Sequence, residues 1–520
     1  MNIPAINLKD GYKIDHRNQY PKETTKIVSN WTARKSRNPQ IQSVVNFGLQ
    51  AFIKEWLIDH YNRTFFHVEK EKAIAKYARR IRNTGNSSIT FEHIEKLWDL
   101  QYLPIAIMSL PEGALVPMGV PSFITYNTLP DFYWVTNMLE TLESCELWKP
   151  TTSATMAREL KKVFKKYSDL TCDNENHLDF QMWDFSMRGM SGVWDACQSG
   201  AGHLLSSKGS DTIPAFDWLE DYYNADSDKE LISGGINATE HSVNCVGTGL
   251  YIQTKFNGNW EYFGEAELMV FKRLITEVYP TGGLSIVSDT WSLPKIVTEI
   301  LPALKDEIIN RDGFLVIRPD SFWTNPQDCL CGYDGNHAKM ALLNEAEIKM
   351  VRMGLVESIY KIFGGTENKK GYITLHPKIS TIYGDGLGIE RSEEICERLM
   401  NKGFASSNWV CGIGSFFYQY CTRDSFGFAM KATYAEAIVD GKLIEIEVFK
   451  DPITDDGTKK SLRGLIAVYK DANGNYYSQD RVTWKEVNNC EFKKVFENSK
   501  LLFETSLTEM RLIMNNNIGK

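Results

Sequence analysis

Apolar positions in the middle of the chain alternate between helical and strand-like spacing. Residues 265–279 place leucine, phenylalanine, isoleucine and valine side chains on one helical face, and the apolar run that follows, 284–289, has the length of a strand. Residues 293–310 again have helical spacing, and they lead to a second short apolar run at 314–320. The alternation predicts strands that are separated by crossover helices.

The same alternation continues toward the C-terminus. Residues 344–362 predict one helix, and residues 391–403 predict another that ends on a glycine. Each leads to a strand-like run, at 381–386 and 408–415. Successive strand–helix–strand units form parallel sheets with right-handed crossovers. The predicted fold class is therefore α/β, a (β/α) barrel.

Polar residues and glycines follow directly after these apolar runs. The carboxyl ends of barrel strands meet at one rim, and the active sites of barrel enzymes lie there. An upstream stretch, 178–189, ends in the same way. The residues at the predicted rim are Asp184, Phe185, Arg188, Asp289, Arg318, Asp320, Asp385, Gly412 and Gly414.

The run 314–321, "FLVIRPDS", shows this pattern in its shortest form. Arg318 and Asp320 stand on either side of Pro319, directly after four apolar residues. A single strand of this kind could simply end in an ion pair. The repetition of polar ends on five strands in series favours a site.

The flanks of the chain have a different pattern. Residues 47–57 predict an amphipathic helix, residues 113–126 predict short strands and turns, and Asn473-Gly474 predicts a hairpin turn. We expect a barrel domain at 130–425 and a second, mixed α+β domain built from 1–129 and 426–520.

Composition narrows the class of protein. The 520 residues are 43% hydrophobic and 24% charged, and the formal charge is −8. An acidic chain disfavours nucleic acid and anionic membranes as partners. No apolar run has the length of a membrane span, and the N-terminus lacks the features of a signal peptide, so we expect a cytoplasmic protein. The ten cysteines lack zinc-site spacing, and we expect no metal held by side chains.

The candidate chemistry is that of a phosphorylated sugar. Carboxylates accept hydrogen bonds from sugar hydroxyls, whereas arginines, lysines and glycine turns bind phosphates. His241, Lys431 and Lys450 could add to this chemistry, or could be a structural histidine and two solvated lysines. The P-loop, dinucleotide-binding and HExxH motifs are absent from the sequence.

Ten short motifs, in order, resemble the nicotinamide phosphoribosyltransferase family, whose members join nicotinamide to phosphoribosyl pyrophosphate. The resemblance runs over nearly the whole length and implies the type II phosphoribosyltransferase barrel. The motifs are "KDGYKIDHRNQYP", "PEGALVPMG", "WDFSMRG", "SKGSDT", "ATEHS", "IVSD", "IRPDS", "GDG", "TRD" and "VFKDP".

The resemblance implies a role for individual residues in substrate binding. Phe185 and Tyr12 of a partner subunit would stack on the two faces of the nicotinamide ring. Asp211 would accept a hydrogen bond from the carboxamide, and Arg188 would lie beside the ring. Asp320, Gly384 and Asp385 would hold the ribose hydroxyls, Arg318 and Gly414 would bind the 5′-phosphate, and Arg34, Arg423, Lys431 and Lys450 would bind phosphate and pyrophosphate across a homodimer.

The catalytic residues that the resemblance implies are His241, Asp289 and Asp320. His241 corresponds to the histidine that ATP phosphorylates in this family, with Glu240 beside it and Asp289 near it. ATP would therefore be a co-substrate, and Mg²⁺ would bind through the pyrophosphate.

The sequence also departs from the family pattern. Ser415 and Phe416 replace glycines of the phosphate loop, and Trp183, Ser186 and Met187 stand where the family more typically has histidine, glycine and tyrosine. Residues 322–340 suggest a variant or lengthened loop that could alter a lid over the substrate.

Two other functions remain open at the sequence level. A nicotinate phosphoribosyltransferase has the same fold and chemistry but binds a carboxylate, which the acidic Asp211 would repel. A catalytically inactive binding protein on the same scaffold is the alternative from another class.

Overall fold

The computed structural model describes residues 3–84, 90–451, 453–454 and 462–516. Its central element is a seven-stranded parallel sheet. In spatial order the strands are Gly209–Ser210, Met182–Asp184, Trp409–Ile413, Ile379–Tyr383, Asp312–Arg318, Thr281–Val287 and Asn237–Ala238.

The two edges of this sheet meet. Gly209, in one edge strand, forms an isolated parallel bridge with Gly234, which lies just before the other edge strand. The Gly234 amide donates to the Lys208 carbonyl at 2.7 Å. The parallel sheet is thereby closed into a barrel, and the predicted fold class is confirmed.

Helices follow the strands as the apolar spacing predicts. The predicted helices 265–279, 293–310 and 391–403 correspond to Phe263–Arg273 with its extension Leu274–Val278, to a series of helical segments from Leu293 to Asn310, and to Ile389–Asn401. The other helices beside the barrel strands are Val193–Leu204, Pro214–Tyr223, His241–Lys255, Pro326–Cys331 and Ser415–Gln419.

The single helix predicted at 344–362 is wrong. The structure has two helices, Glu345–Met353 and Leu355–Phe363, which are separated by Gly354. Gly354 has φ +83°, a conformation that favours glycine, and its α-carbon packs against the backbone of Gly332. Close packing on another backbone therefore breaks a helix whose apolar spacing is continuous.

The segment 322–340, for which we expected a variant or lengthened loop, is partly helical. It contains the helix Pro326–Cys331, in which Cys329, Leu330 and Cys331 are buried in the barrel core. Asp328 of this helix forms an ion pair with Arg398 at 2.9 Å. The second half of the segment includes the 3₁₀ helix Ala338–Leu342. The helix Pro326–Cys331 therefore packs into the barrel core.

The N- and C-terminal flanks share a second sheet, which has seven antiparallel strands. The strand Thr24–Ala33 pairs with Phe428–Val439, so that Asn30 lies opposite Lys431. In spatial order the strands are Lys442–Glu447, Phe428–Val439, Thr24–Ala33, Pro121–Asn127, Ile105–Ser109, Lys493–Glu497 and Lys500–Leu501.

Further elements complete this part of the chain. The predicted helix 47–57 begins at Leu49 and continues to Phe66. Asn473-Gly474 forms the predicted turn between Leu465–Lys470 and Tyr476–Val482. Other helices of the flanks are His16–Gln19, Lys70–Arg82, Glu92–Leu100, Trp484–Val487 and Leu507–Asn516, and the strand Ser43–Val45 pairs with Leu115–Pro117. In the barrel part of the chain, Gly365–Glu367 pairs with Ile373–Leu375.

One long helix, Tyr133–Thr171, connects the two cores. Its first turns, which include Trp134 and Leu142, are buried in the core of the antiparallel sheet. Its last turns, which include Phe164 and Tyr167, are buried in the core of the barrel. The domain boundaries at 130 and 425 stay a prediction. No helix within the described residues is long and apolar enough to cross a membrane.

Candidate active site

Asp289 lies at the barrel rim, just past the strand Thr281–Val287. Its Oδ1 is 3.0 Å from Nε2 of His241, and its Oδ2 accepts from the Asp320 amide at 3.1 Å and the Ser321 hydroxyl at 2.6 Å. The Asp289 side chain is 6% exposed, whereas that of His241 is 48% exposed. A buried carboxylate thus connects the exposed histidine to the Arg-Pro-Asp turn.

His241 is the first residue of the helix His241–Lys255. Glu240 precedes it and accepts a hydrogen bond from the Ser242 hydroxyl. If Nε2–H donates to Asp289, the lone pair of the imidazole is on Nδ1. In that tautomer the exposed ring has one nitrogen on the buried carboxylate and an unshared lone pair on the other.

Arg318, the last residue of the strand Asp312–Arg318, and Asp320, two residues later, are half-buried. Nη2 of Arg318 donates to the Thr239 carbonyl, and its buried Nε has no hydrogen-bond partner among the described residues. Burial raises the pKa of Asp320, while the positive charge of Arg318 opposes that shift. The guanidinium and the carboxylate therefore lie close enough to influence each other.

Two glycines at the rim allow close approach. A Cβ on Gly384 would collide with the carboxylate of Asp320, so glycine at 384 lets that carboxylate lie against the "GDG" turn. A Cβ on Gly412 would lie 2.7 Å from the α-carbon of Gly384 and 2.9 Å from the Phe185 ring.

Two further carboxylates lie near Asp320. After burial, the charges of Asp289 and Asp385 also raise the pKa of Asp320. Three carboxylates thus share one region.

The opposite side of the rim holds the aromatic and acidic residues predicted to bind a ring. The Phe185 amide donates to the Ile413 carbonyl at 2.8 Å, and the Asp211 amide donates to the Asp184 carbonyl at 2.9 Å. Burial raises the pKa of Asp211, and the nearby charges of Arg318 and Arg188 oppose the shift. Arg188 itself is exposed.

The altered phosphate loop has a compact structure. Gly414 precedes the short helix Ser415–Gln419, and the side chain of Ser415 packs directly over the α-carbon of Gly189. The Phe416 ring is 55% exposed and stacks on Tyr420 with a centroid distance of 4.9 Å. The serine therefore fills space above the "MRG" turn, and the phenylalanine adds an aromatic surface beside the loop.

Comparison with known proteins agrees with this geometry. Residues 180–500 match the model of the nicotinate phosphoribosyltransferase (NAPRTase) family, and residues 5–94 match that of the nicotinamide phosphoribosyltransferase N-terminal domain. A nicotinamide phosphoribosyltransferase of Acinetobacter baylyi is 41% identical over 98% of this chain and 96% of its own length. The chain belongs to the nicotinamide phosphoribosyltransferase family.

More distant relatives agree with this assignment. A nicotinamide phosphoribosyltransferase of Mycoplasma pneumoniae is 31% identical over 88% of this chain and 96% of its own length. The fold resembles the crystal structure of nicotinate-nucleotide pyrophosphorylase from Pyrococcus furiosus, with a TM-score of 0.54 and 13% identity over 99% of this chain and 95% of that one. The crystal structure of human nicotinic acid phosphoribosyltransferase matches with a TM-score of 0.51 and 12% identity, over 98% of this chain and 93% of that one. The fold is that of the type II phosphoribosyltransferases.

The residues that the family resemblance assigns to a partner subunit lie elsewhere. Tyr12, Arg34, Arg423 and Lys431 line one cavity of about 500 Å³ beside the antiparallel sheet. Tyr12 is 66% exposed. Among the described residues that line this cavity, none belongs to the predicted barrel rim. Lys450 is exposed beyond the strand Lys442–Glu447 and is not part of the cavity lining.

Two residues support the site through contacts that the sequence did not predict: Asp184, which the sequence placed at the rim, and Thr239, which it did not single out. Asp184 is fully buried and accepts from the Ser186 amide and from the hydroxyls of Ser210 and Thr212, so it organises two rim turns. Thr239 holds Arg318 through its carbonyl. Such contacts join residues that are far apart in sequence, and local periodicity carries no signal for them.

Proposed function

We propose that the protein transfers the phosphoribosyl group from phosphoribosyl pyrophosphate to nicotinamide, giving nicotinamide mononucleotide and pyrophosphate in NAD salvage in the cytoplasm. We choose nicotinamide as the substrate because the carboxylate of Asp211 lies beside the turn that contains Phe185. An ionised carboxylate accepts hydrogen bonds from an amide N–H and repels a second carboxylate. The Phe185 ring would stack on the pyridine, with Arg188 at its edge.

The ribose would bind beside Asp320. Its carboxylate and the Gly384-Asp385 turn would accept hydrogen bonds from the ribose hydroxyls. When the bond from C1′ to pyrophosphate breaks, positive charge develops on the ribose ring, and preorganised carboxylates stabilise that charge. The neutral pyridine nitrogen then forms the new bond to C1′, so the reaction needs no strong general base.

The phosphates would bind to the cationic and glycine-rich groups. Arg318 and the backbone at Gly414 would meet the 5′-phosphate, which is supported by the buried Nε of Arg318 that has no hydrogen-bond partner within the described ranges. Mg²⁺ would enter as part of the substrate, since pyrophosphate supplies the hard oxygen ligands that this ion prefers. It would neutralise the leaving group.

ATP hydrolysis would be coupled to this reaction through His241. Nδ1 would attack the γ-phosphorus of ATP and release ADP, while Nε2–H donates to Asp289. Water would later hydrolyse the phosphohistidine and release phosphate. The hydrogen bonds from Asp289 to both His241 and the Asp320 amide support this coupling, because phosphorylation of the ring would reach the ribose-binding turn through one shared carboxylate.

Each active site would combine two subunits of a homodimer. The cavity with Tyr12, Arg34, Arg423 and Lys431 carries an aromatic ring and three cations, which complement the Phe185 ring and the substrate phosphates. The helix His241–Lys255 also presents an exposed apolar face at helical spacing, with Val246 72% and Leu250 59% exposed. Lys450 would join the partner's cations.

The direct test compares purified wild-type protein with nicotinamide and with nicotinate, each with phosphoribosyl pyrophosphate, Mg²⁺ and ATP. We expect turnover with a strong preference for nicotinamide in kcat/KM. A preference for nicotinate would identify the other enzyme of this fold, and no mononucleotide with either pyridine would indicate a binding protein. Omitting ATP separates coupled from basal transfer.

A further inference from the structure

Trp183 contacts the carboxylate of Asp211, the residue on which the proposed selectivity for nicotinamide rests. Its indole Nε1–H donates to Oδ1 of Asp211 at 2.8 Å. Trp183 lies in the strand Met182–Asp184, and its backbone pairs with Gly209 on one side and Gly412 on the other. The residue that donates this hydrogen bond is thus fixed by two neighbouring barrel strands.

The indole ring is also held by its packing. A Cβ on Gly209 would lie 2.7 Å from Cε3 and 3.1 Å from Cδ2 of Trp183, so the ring is seated on the bare α-carbon of that glycine. A side chain at 209 would push the ring away from this position. The orientation of the N–H therefore follows from close contact with the backbone of the next strand.

The hydrogen bond has two consequences for Asp211. It occupies Oδ1 and leaves Oδ2 as the acceptor for a ligand. Burial raises the pKa of Asp211, and the Trp183 donor is the first influence that lowers it again, before Arg318. A hydrogen bond to the charged form favours that form. Because the indole is neutral, it favours the ionised form of Asp211 without adding a positive charge beside it.

We propose that Trp183 is a positioning residue for pyridine selectivity: it holds Asp211 through Oδ1, so that the second oxygen accepts the N–H of a carboxamide. This inference rests on the proposed function and deepens it. Phe185 and Trp183 have different tasks, because the former offers a face to the ring and the latter acts only through Asp211.

The test compares Trp183→Phe with Trp183→His. Phenylalanine keeps an aromatic ring over Gly209 but has no N–H, whereas histidine keeps a ring N–H. For Trp183→Phe we expect a roughly tenfold rise in KM for nicotinamide with a smaller change in kcat, and a lower nicotinamide-to-nicotinate ratio of kcat/KM. Trp183→His should recover part of both losses. Circular dichroism and thermal melting check that each variant is folded.

The pH profile supplies a readout that loss of packing would not change. Without the donor, the pKa of Asp211 rises further, so the acid limb of kcat/KM for nicotinamide should move to higher pH in Trp183→Phe. Titration of nicotinamide binding by calorimetry at several pH values gives the same information without turnover, and it serves if either variant is slow.

The outcomes separate this inference from the function on which it rests. If wild type uses nicotinamide and Trp183→Phe keeps its KM, its selectivity and its acid limb, Trp183 is a packing residue and the inference is overturned alone. Equal impairment in the phenylalanine and histidine variants also overturns it, because ring size rather than the N–H would then matter. Wild type without nicotinamide turnover overturns both.

Discussion

His241 and Asp289 face each other at the barrel rim, with Nε2 of the ring 3.0 Å from Oδ1 of the carboxylate. The other oxygen of Asp289 accepts from the backbone amide of Asp320 and from the hydroxyl of Ser321. One carboxylate thus spans two loops that are far apart in sequence. A change in the charge of His241 would therefore act on the Arg-Pro-Asp turn through Asp289.

The first prediction concerns ATP coupling. His241→Ala should abolish ATP hydrolysis and its enhancement of nicotinamide use, because the phosphate acceptor is lost. Basal phosphoribosyl transfer should partly survive, since Asp320 and Asp211 remain. Release of ADP and formation of nicotinamide mononucleotide, measured in parallel, check this. The matched control is His337→Ala, which removes a histidine of the 322–340 segment. Undiminished ATP consumption in His241→Ala would show that another residue accepts the phosphate.

The second prediction concerns the ribose. Asp320→Asn keeps the shape of the side chain and removes the charge that stabilises the developing cation, so kcat should fall by about 10²–10³ with little change in melting temperature. Asp312→Asn, at the opposite end of the same strand and exposed, should have near-wild-type kcat. A near-wild-type rate for Asp320→Asn would mean that this aspartate is structural.

The third prediction concerns the choice of pyridine. Two like charges about 4 Å apart repel by roughly 4 kcal/mol at an effective dielectric constant of 20. Asp211→Asn removes this repulsion of nicotinate and keeps a carbonyl for the amide. The selectivity ratio should collapse, mainly through better use of nicotinate, whereas the exposed Asp217→Asn should keep it. An unchanged ratio in Asp211→Asn would mean that Asp211 does not contact the exocyclic group.

The fourth prediction concerns the shared site. Tyr12→Ala and Phe185→Ala should each inactivate a homodimer, because each would remove one face of the ring pocket. Coexpression of the two variants forms mixed dimers with one intact site. If the subunits pair at random, about a quarter of wild-type activity should return. Each variant coexpressed with itself is the control. No recovery in mixed dimers confirmed by mass spectrometry, or an active monomer in sedimentation, would contradict a composite site.

The fifth prediction concerns the pH dependence of stability. Glu267 is fully buried, and neither carboxylate oxygen has a hydrogen-bond partner in the part of the chain that the structure describes. Burial, with a smaller effect of Asp289, raises its pKa to about 8. The folded protein therefore binds this proton more tightly than the unfolded chain does.

The sign of the effect follows from that difference. Stability due to protonated Glu267 is fully present below its ordinary pKa and is lost as pH rises through about 8. Glu267→Gln does not titrate, so the melting temperature of wild type should fall relative to that of Glu267→Gln from about pH 5 to about pH 8, and the difference should stay constant above that range. Glu265→Gln, in the same helix and exposed, should follow the wild-type curve. Parallel curves for Glu267→Gln and wild type would contradict the raised pKa.

Sequence by itself determined much of the barrel. The apolar runs that end at Asp289 and Asp320 are strands, and the helices between them lie where the spacing predicts. This works because each strand and helix must bury its own apolar residues, which leaves a local periodic signal. The family motifs added the candidate roles of His241 and Asp211, although those roles stay proposals.

Only the tertiary structure decided how distant residues meet. The break at Gly354 depends on the backbone of Gly332, and the seat of the Trp183 ring depends on the α-carbon of Gly209. Likewise the hydrogen bond from Trp183 to Asp211 joins residues of two neighbouring strand segments. These contacts arise from close packing between elements, which is a property of their three-dimensional arrangement, and no pattern within one segment encodes them.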